Sequence, residues 1–199
     1  MALRIVERTA PAEADLVAAC VRGDRGAERE LFRREYPRVY RLVYRLVGST
    51  RDLDDIMQET FIAVFRGLPR FRGDARLATW IDRIAVRAVF DHFSARRRQP
   101  VPVEVVADRV DAVGDPGDRA QAREGLRRLY AVLATLSIDA RIAFALYAID
   151  GRSIAEVASI TRTAQVTAKL RIWRARRELQ RRSVDDAVLR DYVARGSAR

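Results

Sequence analysis

Apolar residues recur along this chain with the period of a helix rather than that of a strand. At about 100° per residue, Leu53, Met57, Thr60 and Val64 share one face of the stretch STRDLDDIMQETFIAVF. Ile81, Ile84, Ala85 and Ala88 form a second stripe, and Ala168, Ile172, Ala175 and Leu179 form a third. There is no convincing strand pair, no Asn-Gly hairpin signal and no internal repeat. The periodicity and its breakers predict helices over 13–22, 25–47, 51–67 and 77–97, then over 119–135, 138–149, 153–160 and 164–181. A short amphipathic helix is expected at 183–193. Gly23-Asp24 and Gly48-Ser49-Thr50 punctuate the first set, and Pro69 and Gly73 break a loop at 69–76. In the second set Asp150-Gly151 ends a helix. Ser49 with Asp52, and Ser153 with Glu156, place a hydroxyl three residues ahead of an acid, the pattern of a capped helix start.

Between the two sets lies PVPVEVVADRVDAVGDPGDRA, residues 100–120, with three of the six prolines and no lasting period. Such a segment reads as an extended, flexible linker. The expected fold is therefore all-α, two small helical domains joined by a flexible Pro/Asp-rich linker, the second a helix-turn-helix bundle. The expected boundaries are 1–99, linker 100–120, 121–183, and a short amphipathic tail at 184–199.

Composition narrows the partners. The net charge is +11, carried almost wholly by arginine. Residues 1–99 hold 20 basic and 14 acidic groups, 100–124 hold 3 and 6, and 125–199 hold 15 and 7. Two basic blocks flanking an acidic connector suit a polyanion, nucleic acid first, although arginine-rich codon usage alone produces part of such a balance. No apolar run reaches the roughly 18 residues of a membrane span, and the N-terminus lacks a signal-peptide layout, so a cytoplasmic protein is expected. One cysteine, Cys20, and one histidine, His92, exclude a disulfide framework and a Cys/His zinc site. Cys20, in the apolar run LVAACV, is expected to be buried. No metal, cofactor or catalytic group is expected.

Three stretches carry candidate chemistry. In the first, Asp55, Gln58, Glu59 and Ile62 gather opposite the buried stripe as an acidic patch with one exposed aliphatic. It is a docking face for a basic helix or a solvated face, and the residues alone favour the latter. In the second, FRGDARLATWIDRIAVRAVFDHFSARRR, arginines stand beside Trp80 and Phe71, charge for phosphates and rings for stacking bases. Equally, Trp80 is core and Arg96 to Arg98 a charged helix end. In the third, GRSIAEVASITRT followed by TAQVTAKLRIWRARREL makes two helices joined by a short turn, the second strongly basic.

Together these stretches resemble the small two-domain sigma factors of the extracytoplasmic-function class. ELFRREYPRVYRLVYRLVG and DLDDIMQETFIAVFRGLPRFRGDARLATWIDRIAVRAVFDHFSARRR are similar to sigma region 2. LRRLYAVLATLSIDARIAFALYAIDGRSIAEVASITRTAQVTAKLRIWRARREL is similar to region 4. The resemblance implies a promoter-specificity subunit that directs RNA polymerase, not an enzyme. It implies that Asp52, Asp55, Gln58, Glu59 and Ile62 dock on the β′ clamp helices of core polymerase, with region 4 meeting the β flap. Arg70, Phe71, Arg72, Gly73, Asp74, Thr79, Trp80, Arg83 and Arg87 would hold the unpaired −10 strand. Thr163, Gln165, Thr167, Lys169, Leu170, Arg171, Arg174 and Arg177 would bind the −35 duplex. An anti-sigma factor is the implied regulator.

The chain also departs from the family. Arg87 stands where asparagine is common, Asp82 where an aromatic is usual, and Arg162 where the helix-turn-helix turn normally has glycine. Thr163 and Ala168 replace isoleucine and valine. The outward face of the last helix carries Val166, Leu170 and Trp173, with Arg177 and the flanking Lys169 and Arg174. Such a face can touch thymine methyls while its basic rim holds phosphates, or it can bind a protein; the basic flank favours DNA. Two other classes compete with the sigma reading. One is a stand-alone helix-turn-helix regulator acting without polymerase. The other is a DNA-processing enzyme using Asp52, Asp54, Asp55 and Glu59, for which no second acidic cluster is present.

Overall fold

The computed structural model describes residues 11–96 and 116–191, and every regular element among them is helical. The elements are α1 (Pro11–Val21), α2 (Arg25–Val47), α3 (Leu53–Gly67), α4 (Leu77–Arg96), α5 (Pro116–Ala134), α6 (Ile138–Phe144), α7 (Ile154–Thr161) and α8 (Gln165–Ser183). A single 3₁₀ turn, Leu68–Arg70, follows α3, and α6 runs on into a π-helical turn at Ala145–Ile149.

Each boundary has a local cause. Asp24 caps α2, its carboxylate accepting from the amides of Gly26 at 2.7 Å and Ala27 at 3.1 Å. The other end of α2 closes on Gly48 in the left-handed region (φ 70°), whose N–H donates to the Tyr44 carbonyl. Ser153 and Glu156 form the reciprocal capping box expected at the start of α7. Ser49 does not cap α3. It accepts from the Arg51 amide at 3.1 Å, the helix starts later, at Leu53, and the flanking Asp52 makes no capping bond to the helix amides.

The expected stripe of α8 is the observed one: Ala168, Ile172, Ala175 and Leu179 are all buried. In α3, Leu53, Met57, Thr60 and Val64 face inward, joined by Ile56 and Phe61. The stripe of α4 is rotated from expectation. Ile81 and Ala85 are buried, but Ile84 and Ala88 are only half-buried, and Asp82, Val86 and Val89 take the interior places. The rotation has a reason: α4 packs against the first helices and against α7 as well, so it buries two faces.

One buried apolar cluster runs through α1 to α4 and continues into α6, α7 and α8 through Ile142, Leu146, Val157, Ala168 and Ile172. A smaller one joins α5, α6 and α8 to Leu189 of the tail. Residues 187–191 of the expected tail helix are helical, and the rest of that tail lies outside the described residues. Most of the expected linker, with Arg97 and Arg98, also lies outside them. Its last five residues are corrected: Pro116 opens α5, a position where its missing N–H is no loss.

Candidate nucleic-acid interface

On α3 the acidic face is exposed as expected. Asp55, Gln58 and Glu59 point to solvent, and Ile62 keeps 42% of its surface. Asp52 does not belong to that face. It is buried, its carboxylate 3.7 Å from His92 Nε2 of α4. The α3 dipole favours the exposed acids, since Asp54 and Asp55 lie in its first turn.

The loop between α3 and α4 and the first turns of α4 bring the second set of residues together. Phe71 and Trp80 pack ring to ring at 5.1 Å and 49°, and Trp80 leans on Gly67, where a Cβ would already be tight against it. Gly73 takes a left-handed conformation (φ 73°), and the turn lets Arg72 and Asp74 pair at 3.2 Å, both fully in solvent. Arg70 is exposed, while Thr79 is half-buried. Arg87 is exposed, paired with Asp91 at 2.8 Å and lying over the Phe90 ring at 5.5 Å. Solvent-exposed pairs of this kind contribute little stability, so a phosphate can replace the carboxylate at small cost. Arg83 is placed differently. Its Nε donates to the Ser159 carbonyl at 3.1 Å and its Nη2 to Ser159 Oγ at 2.8 Å, so α7 holds it. Burial, then the nearby Arg162 charge, pulls its pKa down.

On α8, Val166, Leu170 and Trp173 expose 78%, 43% and 53% of their surface, so the outward apolar face is real. Arg177 lies over the Trp173 ring at 5.3 Å. Gln165, Lys169 and Arg174 are exposed, Thr167 is half-buried, and Thr163 pairs its hydroxyl with Thr161 at 3.0 Å. Arg171 is tied back to Asp139 of α6 at 2.9 Å and braces the bundle. The turn before α8 takes the left-handed conformation at the position where the family normally has glycine, and Arg162 bears the strain at φ 54°, ψ 46°.

A family model described as sigma-70 region 2 matches residues 31–99, and one described as sigma-70, region 4 matches residues 126–179. The chain is 34% identical to the ECF RNA polymerase sigma factor SigM of Mycobacterium tuberculosis, over 85% of this chain and 83% of that one. The chain belongs to the extracytoplasmic-function (ECF) sigma factors. It is likewise 33% identical to the ECF RNA polymerase sigma-E factor of Escherichia coli strain K12, over 81% of this chain and 88% of that one. Its fold matches that of CnrH, solved in complex with the cytosolic domain of CnrY, at a TM-score of 0.61 and 25% identity, covering 88% of this chain and 99% of CnrH. It also matches the sigma factor RpoE of Bartonella quintana, solved with the anti-sigma factor NepR, at a TM-score of 0.57 and 23% identity, covering 77% of this chain and 94% of that one. As a member of this family the sigma factor directs promoter-specific initiation by RNA polymerase and is not an enzyme. No helix among the described residues is long and apolar enough to cross a membrane.

Sequence reasoning missed one group of residues altogether. Arg38 of α2 donates to Asp82 Oδ1 and Arg152, ahead of α7, to Asp82 Oδ2 at 3.1 Å. Arg152 also meets Asp150 at 2.7 Å, and Asp150 meets Arg45 of α2 at 2.5 Å. Burial pushes the Asp82 carboxyl up, against the pull of Arg38 and Arg152. The departure of Asp82 from the family's aromatic was the available signal.

Proposed function

We propose that the sigma factor divides promoter recognition among three surfaces: the exposed face of α3 for polymerase, the α3–α4 loop with α4 for the opened −10 strand, and α8 for the −35 duplex. The Phe71–Trp80 pair beside exposed Arg70, Arg72 and Arg87 carries the −10 assignment. Extruded bases gain stacking and phosphate contacts worth about 1–3 kcal/mol each, which offsets the lost pairing. Asp55, Gln58, Glu59 and Ile62 suit a basic helix of the β′ clamp, because an aliphatic ringed by acids offers both burial and charge complementarity. Asp52 supports the start of α3 from inside.

For α8, its N-terminal flanking residue Ala164 supplies no capping side chain, which leaves first-turn amides for a phosphate. Lys169, Arg174 and Arg177 add charge, Gln165 and Thr167 add polar reach, and Val166 with Leu170 suits thymine methyls in the major groove. Joining two modest sites on one chain raises the effective concentration of each. The units are taken as 1–99 and, with the start of α5 included, 116–183, the latter also meeting the β flap. An anti-sigma factor is the regulatory partner this family reading calls for.

Reconstitution with bacterial core polymerase tests the reading. Run-off transcripts should start at a defined promoter, with protection at both −10 and −35. Protection at −10 alone would remove the DNA role of α8. In that case Leu170→Ser/Trp173→Ser should abolish capture by a protein partner and leave promoter protection unchanged. A stand-alone regulator would instead bind palindromic sites without polymerase.

A further inference from the structure

Arg87 is held unlike the other exposed cations of the −10 surface. Arg70 and Arg72 stand on the turn and loop after α3, and Arg72 meets Asp74 across 3.2 Å with both side chains in solvent. Arg87 stands on α4 itself and is fixed at two points. Its Nε donates to Asp91 Oδ2 at 2.8 Å, and its guanidinium carbon lies over the Phe90 ring at 5.5 Å. Nη1 and Nη2 make no hydrogen bond within the described residues, and the side chain is 72% exposed. A guanidinium is planar, so pinning Nε and one face fixes the direction in which the two remaining nitrogens point. Arg87 follows Trp80 on the same side of α4, two turns or about 10 Å along the helix.

We propose that Arg87 reads a base of the unpaired −10 strand through an edge with two adjacent acceptors, and that Asp91 is its positioning residue. The inference rests on the assignment of the α3–α4 loop and α4 to that strand. The free fork offers two donors side by side. Guanine answers it with O6 and N7, and unpaired cytosine with N3 and O2. Adenine and thymine alternate donors with acceptors and satisfy only one arm of the fork. A phosphate approaching the same fork meets the Asp91 charge as well, so the nearly neutral Arg87–Asp91 pair suits a neutral base better than an anion. Asparagine, common at this position, sets one donor group beside one acceptor and reads a different edge. The departure at Arg87 therefore changes which base is read, not only how firmly the strand is held. The base stacked on Phe71 and Trp80 lies two turns away, so the two sites take different nucleotides of one strand.

The test is open-complex formation by reconstituted holoenzyme on a promoter that it transcribes, with each non-template base of the −10 element set in turn to A, C, G and T. At one position G or C should outdo A and T about tenfold, the worth of one bidentate pair. Arg87→Lys keeps the charge and loses the fork, so it should narrow that ratio to about twofold. Two base analogues distinguish the sources: 7-deazaguanine should behave like A where guanine is the base read, and 3-deazacytosine should do so where cytosine is. Asp91→Asn leaves Arg87 present but unpinned and should narrow the ratio about threefold, in keeping with an exposed pair. An unchanged ratio in Asp91→Asn removes the positioning role. A ratio that Arg87→Lys leaves intact at every position overturns the proposal. So does a uniform loss across all four bases, which marks a phosphate contact. Failure of the −10 assignment itself shows separately: Phe71→Ala holoenzyme would then open −10 as well as wild type.

Discussion

Replacing Arg162 by glycine should stabilise this sigma factor, although it removes a charged side chain from the turn between α7 and α8. Arg162 is the one non-glycine residue with positive φ among the described residues. A left-handed conformation costs an L-residue about 1–2 kcal/mol. Glycine removes that cost but adds about 0.4–1 kcal/mol of unfolded-state entropy, leaving a net gain of about 0.5–1 kcal/mol. The Arg162 charge also presses on Arg83, so its loss acts in the same direction. For a chain of this size the gain corresponds to about 1–4 °C in melting temperature. Thermal unfolding by circular dichroism reads the shift. Arg162→Lys, which keeps both charge and strain, should melt with wild type, and Arg162→Asn should lie between. A Gly variant that melts at or below wild type would refute the account of the turn.

The other expectations concern the remaining surfaces and the caps. Ile62→Ser with Glu59→Lys should weaken capture of core polymerase at least tenfold while leaving the melting temperature within about 1–2 °C, as surface changes do; unchanged capture would clear α3 of a docking role. Ser153→Ala removes the capping box of α7 and should cost about 1 kcal/mol in urea unfolding. Glu124 and Glu178, each clasped by two arginines, have their pKa values lowered to about 2. A depressed acid adds stability above its ordinary 4.5, and that stability drains away as pH falls toward 2. Melts taken at pH 6, 4 and 2.5, as rough sampling points across this window, should therefore decline in order, and a flat series would contradict the pairing.

The helices of this sigma factor were legible because most of them bury a single face. The stripe of α8 is spaced so regularly that its buried and exposed sides follow from the period alone. The same arithmetic misplaced α4, which is covered on two sides, because a period reports one dominant face. Exposed Asp55, Gln58, Glu59 and Ile62 were readable as a patch, but Asp52 was swept in with them although a helix boundary separates it from their face. The seam between α4 and α7 was not readable. Arg83 with Ser159, and Asp82 with Arg152, are side-chain pairings across many residues of chain, which no local pattern encodes. Two departures from the family did point to unusual ground: Asp82 lies at the seam, and Arg162 in the strained turn beside Arg83.

The π-helical turn at Ala145–Ile149 sets the bearing at which the chain leaves α6. Its wide loop is closed by the Asp150 amide on the Ala145 carbonyl at 2.9 Å, one residue longer than an α-helical link. The wide turn holds one residue more than an α-helical turn, which amounts to about 100° of rotation where the chain leaves the helix. Asp150 and Arg152 owe their bearing on Arg45 and Asp82 to that extra residue. Deleting one position, exposed Ala148 for instance, would restore a regular helix and swing both side chains away from their partners. The length of the helix at this turn, together with those side chains, thus sets whether Arg45 and Asp82 meet their partners.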